Sequence, residues 1–256
     1  MFPLKDNIPT ENLAIVTIAL IALNVLAYFF FQHGTISLGD PSSQAYLTNL
    51  FDYGYFPYEL THPGTQCVPQ GSQIACGEGH PGLPATWVTV FTAMFMHGGL
   101  LHLGGNMLFL WIFGNNVEDS MGPVRFTIFY LLGGIAALAL QVAIGPDSAV
   151  PTLGASGAIA GVLGGYIVLY PRARVLTLIF LIIFFTFLEL PAVLFLFIWF
   201  AQQAVFGAVG LTNPSGNGGG VAYFAHVGGF IFGLLAVKLF ATRRSAAYGQ
   251  PKYPVY

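Results

Sequence analysis

The sequence predicts an all-α fold, a polytopic membrane protein of six transmembrane helices, and three observations carry that prediction. The hydrophobic set makes up 55% of the 256 residues, while Asp, Glu, Lys and Arg make up 7%. A water-facing surface cannot be built from so few charges, since soluble domains run at about 25% charged. Six mostly apolar stretches, 12–31, 86–114, 126–144, 154–170, 190–210 and 220–241, come near the roughly 20 residues that cross about 30 Å of hydrocarbon. The 32 glycines suit helices packed closely in lipid better than a barrel. A soluble globular enzyme is thereby excluded, and 24 Phe with 12 Tyr exclude a disordered chain. Eight basic residues at a net charge of -2 leave no surface for nucleic acid.

Each element follows from its flanks. The first stretch comes after Lys5, but it is longer than a signal-peptide core and lacks a small-residue cleavage site, so it is a retained span. Residues 1–11 then form a cytoplasmic N-terminus, 12–242 the six-span domain with an external loop over 32–85, and 243–256 a cytoplasmic tail. Cys67 and Cys76 share that loop, where a disulfide is permitted; two free thiols are the alternative. Phe51, Tyr53, Tyr55, Phe56 and Tyr58 suggest that the loop lies on the membrane surface.

A seventh apolar run, 175–189, makes the count ambiguous, and the basic residues resolve it. With six spans, Lys5, Arg125, Arg172, Arg174, Lys238, Arg243, Arg244 and Lys252 all fall on the cytoplasmic side. A seventh span would put the tail outside, so 175–189 is expected to be interfacial or re-entrant. The 213–220 stretch, rich in Gly and Asn, is a linker or a lid.

Against such apolar spans, polar residues need a partner or an aqueous cavity. Span 2 holds His97, His102 and Asn106; span 4 opens Gly154-Ala155-Ser156-Gly157; span 6 carries His226. Gln202 and Gln203 in span 5 are assigned to packing. At 1.5 Å per residue, Ser156 lies about 24 Å from Arg172, His226 about 25 Å from Arg243 and His102 about 24 Å from Glu118. The three therefore share one depth below the outer face. The four-residue ladders Gly157-Gly161-Gly165 and Ala225-Gly229-Gly233 let spans 4 and 6 approach closely, with Gly157 opposite Ala225 and Ser156 beside His226. A plain packing seam is the alternative. Otherwise His226 is the base that Ser156 needs to act as a nucleophile. No carboxylate lies at that depth, so the unit is a dyad. His102 and Asn106, spaced i and i+4, share a face from which both can donate to an oxyanion. His97 and His102 splay apart at i and i+5, without a third ligand for a metal; a structural hydrogen bond suits His97.

Together these motifs resemble the rhomboid family of intramembrane serine proteases. The matching residues are His97-x4-His102-x3-Asn106, Gly154-Ala155-Ser156-Gly157 and Ala225-His226-x2-Gly229-x3-Gly233, with the turn Gly114-Asn115-Asn116-Val117-Glu118-Asp119, in a likeness running over about 10–242. The resemblance implies Ser156 as nucleophile, His226 as general base, and His102 with Asn106 as oxyanion stabilisers. It implies single-pass or polytopic membrane-protein substrates, a cell-membrane location, and no metal or organic cofactor. Two departures stand out. Many members carry an aromatic four residues after the serine, packed under the histidine, where this chain has Ala160; what braces His226 is left open, another aromatic being one candidate. A Trp-Arg pair found in some members' first external loop has no counterpart, because this loop holds no Arg. The competing classes are a non-cleaving scaffold that binds transmembrane helices, and a transporter, which would want ionisable residues along a pathway.

Overall fold

A computed structural model describes residues 2–37, 41–70, 73–79, 82–181, 184–212 and 222–242. The 213–220 stretch and the tail with Arg243, Arg244 and Lys252 lie outside the described residues. In chain order the elements are β1 Phe2–Asp6, α1 Ile15–Leu26, α2 Gln44–Tyr53, α3 Pro57–Thr61, β2 Thr65–Gln70, β3 Gln73–Glu78, α4 Thr86–Thr92, α5 Leu100–Phe109, α6 Asn115–Met121, α7 Pro123–Ile144, α8 Ser156–Leu169, β4 Arg174–Leu181, β5 Phe184–Pro191, α9 Ala192–Thr212 and α10 Tyr223–Phe240. A π-helical turn, Ala27–Phe31, extends α1, and another, Leu110–Gly114, joins α5 to α6.

The chain is a multi-pass membrane protein, mostly helical. Among the described residues, α7, α9 and α10 are each long and apolar enough to cross a bilayer. A bent pair, Thr86–Phe95 and Leu100–Met121, makes a fourth candidate, and Ile15–Phe31 and Ser156–Leu169 are shorter apolar helices. The second stretch is thus not one straight helix from 86 to 114. It breaks by 80° between Phe95 and Leu100, where Gly98 and Gly99 interrupt the helix. Gln32 fixes the break: its side chain donates to the His97 carbonyl (2.8 Å) and accepts from the His97 N–H (2.9 Å). These are main-chain bonds of His97; its two buried ring nitrogens have no hydrogen-bond partner among the described residues, so the ring does not make the structural bond expected of it.

Two small sheets depart from the all-α expectation. Residues 175–181 and 184–189 belong to two antiparallel strands, β4 and β5, with Arg174 opposite Pro191, and β1 adds as a third strand on the β4 side. The run is dense in β-branched and aromatic residues, which favour strands over helices. In the 32–85 loop β2 pairs with β3, and a disulfide joins the facing Cys67 and Cys76. The loop aromatics also point the other way from expectation. Phe51, Tyr55 and Phe56 are buried, Phe51 and Phe56 packing with Tyr46, Leu50, Cys67 and Met96 into a small core of the loop itself.

Helix α8 sits at the centre, buried without a break from Gly157 to Tyr166, so no amphipathic stripe marks it. Glycines set its distance from α10. A methyl on Gly229 would strike the Gly157 carbonyl, and one on Gly233 the Gly161 carbonyl. Elsewhere in the bundle, Glu118 of α6 caps α1. Its carboxylate accepts from the N–H groups of Val16 and Thr17 (2.9 and 2.7 Å) and from the Thr17 hydroxyl (2.7 Å). These donors have no partner within their own helix, and a negative charge suits that end of the dipole.

Candidate active site

Ser156 opens α8 and His226 lies in the first turn of α10, on the two helices that the glycine seam draws together. Their side chains meet, with Ser156 Oγ 2.7 Å from His226 Nε2. Both are half-buried and face a cavity of about 800 Å³ that His102, Asn106 and Trp199 also line. The start of α10 is held from a third helix, the Gln141 side-chain oxygen of α7 accepting from the Ala225 N–H at 3.2 Å.

The loop before Ser156 brings span 2 to the pair. Gly154 adopts φ +109°, a conformation that side chains rarely tolerate, and its N–H donates to the Ala93 carbonyl at 2.8 Å. A Cβ at Gly154 would lie 2.9 Å from His102 Nε2 and 3.3 Å from Asn106 Nδ2. Glycine is therefore demanded twice here, by the backbone and by the space. His102 Nδ1 accepts from the Gly98 N–H at 3.2 Å. Its proton then sits on Nε2, the nitrogen turned towards Gly154. Asn106 is buried, and its Nδ2 has no hydrogen-bond partner among the described residues.

All four residues singled out in the sequence thus stand around one cavity. Two residues of α9 reach His226, of which Trp199 also lines the cavity. The Trp199 ring lies 5.7 Å from the His226 ring, tilted by 37°, whereas Ala160 is fully buried and has no ring. Gln203, one turn on, puts its Oε1 2.7 Å from His226 Nδ1 and is buried, whereas Gln202 is exposed. Of the two glutamines assigned to packing, Gln203 is thus buried and hydrogen-bonded to His226, while Gln202 is exposed. The available signal was a pair of adjacent amides in an otherwise apolar span, and only the docking of α9 tells which of them faces inward.

The rhomboid domain family matches residues 84–243, more than half of the chain. Rhomboid protein 1, mitochondrial, of Saccharomyces cerevisiae is 31% identical over 157 residues, covering 58% of this chain and 40% of the relative. Rhomboid protease GluP of Bacillus subtilis is 38% identical over 95 residues, 37% of this chain and 17% of the relative. RHOMBOID-like protein 1 of Arabidopsis thaliana is 30% identical over 168 residues, 62% of this chain and 36% of the relative. The chain therefore spans 40% or less of the length of these relatives. With a match across the bent second span, the glycine seam and the cavity between them, this chain belongs to the rhomboid domain family.

Proposed function

We propose that the chain is an intramembrane serine endopeptidase that hydrolyses peptide bonds in or near the transmembrane segments of single-pass or polytopic membrane proteins. The observation that carries this reading is the 2.7 Å contact between Ser156 Oγ and His226 Nε2 inside a cavity. His226 takes the hydroxyl proton as Ser156 attacks the scissile carbonyl, returns it to the leaving amine, and then activates water for deacylation. Negative charge on the tetrahedral oxygen is met by His102 Nε2–H, Asn106 Nδ2–H and the Ser156 N–H at the helix start. A substrate helix has to unwind locally to offer its carbonyl, so helix-breaking residues near the cut favour cleavage.

In this reading the helices beginning at Ile15, Leu100, Pro123, Ser156, Ala192 and Tyr223 are six spans of one catalytic domain over 12–242. The 32–85 loop is external, and residues 1–11 and 243–256 are cytoplasmic, in the cell membrane. The basic residues support that orientation. Reporter fusions after Ser245 and within 63–83 are expected on opposite sides; both on one side would overturn it.

The decisive test of the activity uses a fluorophosphonate probe and a membrane-embedded substrate. Wild type is expected to be labelled at Ser156 and to cleave. Ser156→Ala and His226→Ala each abolish both, and the double variant loses little more, because nucleophile and base act as one unit. Cleavage by folded Ser156→Ala would refute the mechanism, and a wild type that neither labels nor cleaves would favour a scaffold.

A further inference from the structure

A neutral imidazole carries one proton, so its two nitrogens cannot both accept. For His226 to receive the Ser156 proton at Nε2, its own proton must sit on Nδ1, and the hydrogen-bond partner at Nδ1 decides whether it does. That partner is Gln203. Its Oε1 lies 2.7 Å from Nδ1, and the amide is buried, where a hydrogen bond with the wrong polarity is costly. The chain of contacts has one consistent direction: Ser156 O–H to Nε2, then Nδ1–H to the Gln203 carbonyl.

Helix α9 supplies a second restraint on the same ring. Trp199 and Gln203 are four residues apart and share a helix face, so one element holds the imidazole both by its plane and by its edge. Within α8 the residue four after Ser156 is Ala160, buried and too small to brace anything. The orientation of His226 is thus set from α9.

We propose that Gln203 is a positioning residue that makes the dyad a Ser156–His226–Gln203 relay, its carbonyl fixing the imidazole in the Nδ1–H tautomer that leaves Nε2 free to take the Ser156 proton. The inference rests on the protease reading and adds to it a neutral third member. When the imidazolium forms, Nε2 gains the Ser156 proton while Nδ1–H stays bonded to Gln203, so the ring needs no reorientation between acylation and deacylation.

The test measures the tautomer and turnover separately. In histidine-15N-labelled full chain, with the His226 signals assigned by their loss in His226→Ala, wild type is expected to show a protonated Nδ1 and an unprotonated Nε2. Gln203→Met, which keeps length but removes the acceptor, should shift His226 towards the Nε2–H form. Its kcat should fall by about 10- to 100-fold while KM stays within about twofold. Gln203→Glu retains an acceptor oxygen and should recover most of the lost kcat.

A wild-type His226 found as the Nε2–H tautomer overturns the proposal. So does a folded Gln203→Met with the tautomer and kcat of wild type, or a folded Gln203→Glu as slow as Gln203→Met. Failure of the protease reading looks different: the wild-type ring then shows the Nδ1–H tautomer, yet Ser156 neither labels nor cleaves.

Discussion

Asn106 holds a buried amide nitrogen beside Gly154, with no acceptor for it among the described residues. A buried donor left unsatisfied costs about 1–3 kcal/mol, a cost that makes sense where an oxyanion arrives during reaction. Asn106→Ala is therefore expected to lower kcat by about 10²–10³ while fluorophosphonate labelling stays detectable. A normal rate would remove Asn106 from the oxyanion site. His102 differs in kind, because the Gly98 N–H already occupies its Nδ1 and commits the other nitrogen to donation. The residue scale was largely legible in the sequence. Polar side chains inside apolar spans are costly, so Ser156, His226, His102 and Asn106 announced themselves. Gln203 announced itself equally, but its neighbour Gln202 did too, and the sequence does not choose between two adjacent amides.

At the scale of elements, the Ser156–His226 contact depends on how closely α8 and α10 approach. The Gly157 carbonyl lies against Gly229, one turn beyond His226, so a single added methyl there separates the backbones that carry the pair. Gly229→Ala is expected to cost about 1–3 kcal/mol of stability and to reduce turnover by more than about tenfold, read by thermal unfolding in detergent and by cleavage. Gly104→Ala is the matched control, since a Cβ at Gly104 meets nothing within 4 Å and should be tolerated. Equal behaviour of the two variants would mean that the seam does not set the site. The ladder spacing made this seam legible from the sequence. The bend before Leu100 and the β4–β5 hairpin were not, because an apolar run of intermediate length fits a strand, a buried helix or a span until its neighbours are known.

Over the whole molecule, a helical bundle is joined to the folded 32–85 loop, which has its own small core and its own electrostatics. Glu59, buried in α3, accepts from the Cys67 N–H at 2.8 Å and so ties the disulfide hairpin to the loop. Burial, with the charge of Asp52 adding to it and the Cys67 bond opposing, pushes its carboxyl from 4.5 to about 7. A carboxyl whose folded pKa is raised contributes stability that is complete below about pH 4.5 and is lost as the pH rises through about 7. Hydrogen exchange of the external loop should accordingly be slower at pH 5 than at pH 8, beyond the intrinsic pH dependence of exchange. Glu59→Gln, which keeps an acceptor without the charge, should stabilise the loop at pH 8 by about 1–3 kcal/mol. Identical pH dependence in wild type and variant would rule out Glu59 as the cause.

The sequence by itself determined the membrane environment, the mostly helical fold and which polar residues to look for. Composition decides whether a chain can face water, and polar side chains in apolar spans stand out because each needs a partner or a cavity. It also determined which helices pack most closely, since small residues at four-residue spacing leave few other arrangements in lipid. Only the tertiary structure decided the rest. The rotation of α9 selects Gln203 over Gln202 and brings Trp199 to the ring that Ala160 leaves unbraced. The folding of the external loop turns Phe51, Tyr55 and Phe56 inward, away from the membrane surface suggested for them. Both outcomes depend on which surfaces of distant segments meet. An apolar segment can bury any of its faces equally well, so the choice is made by the partner and not by the segment.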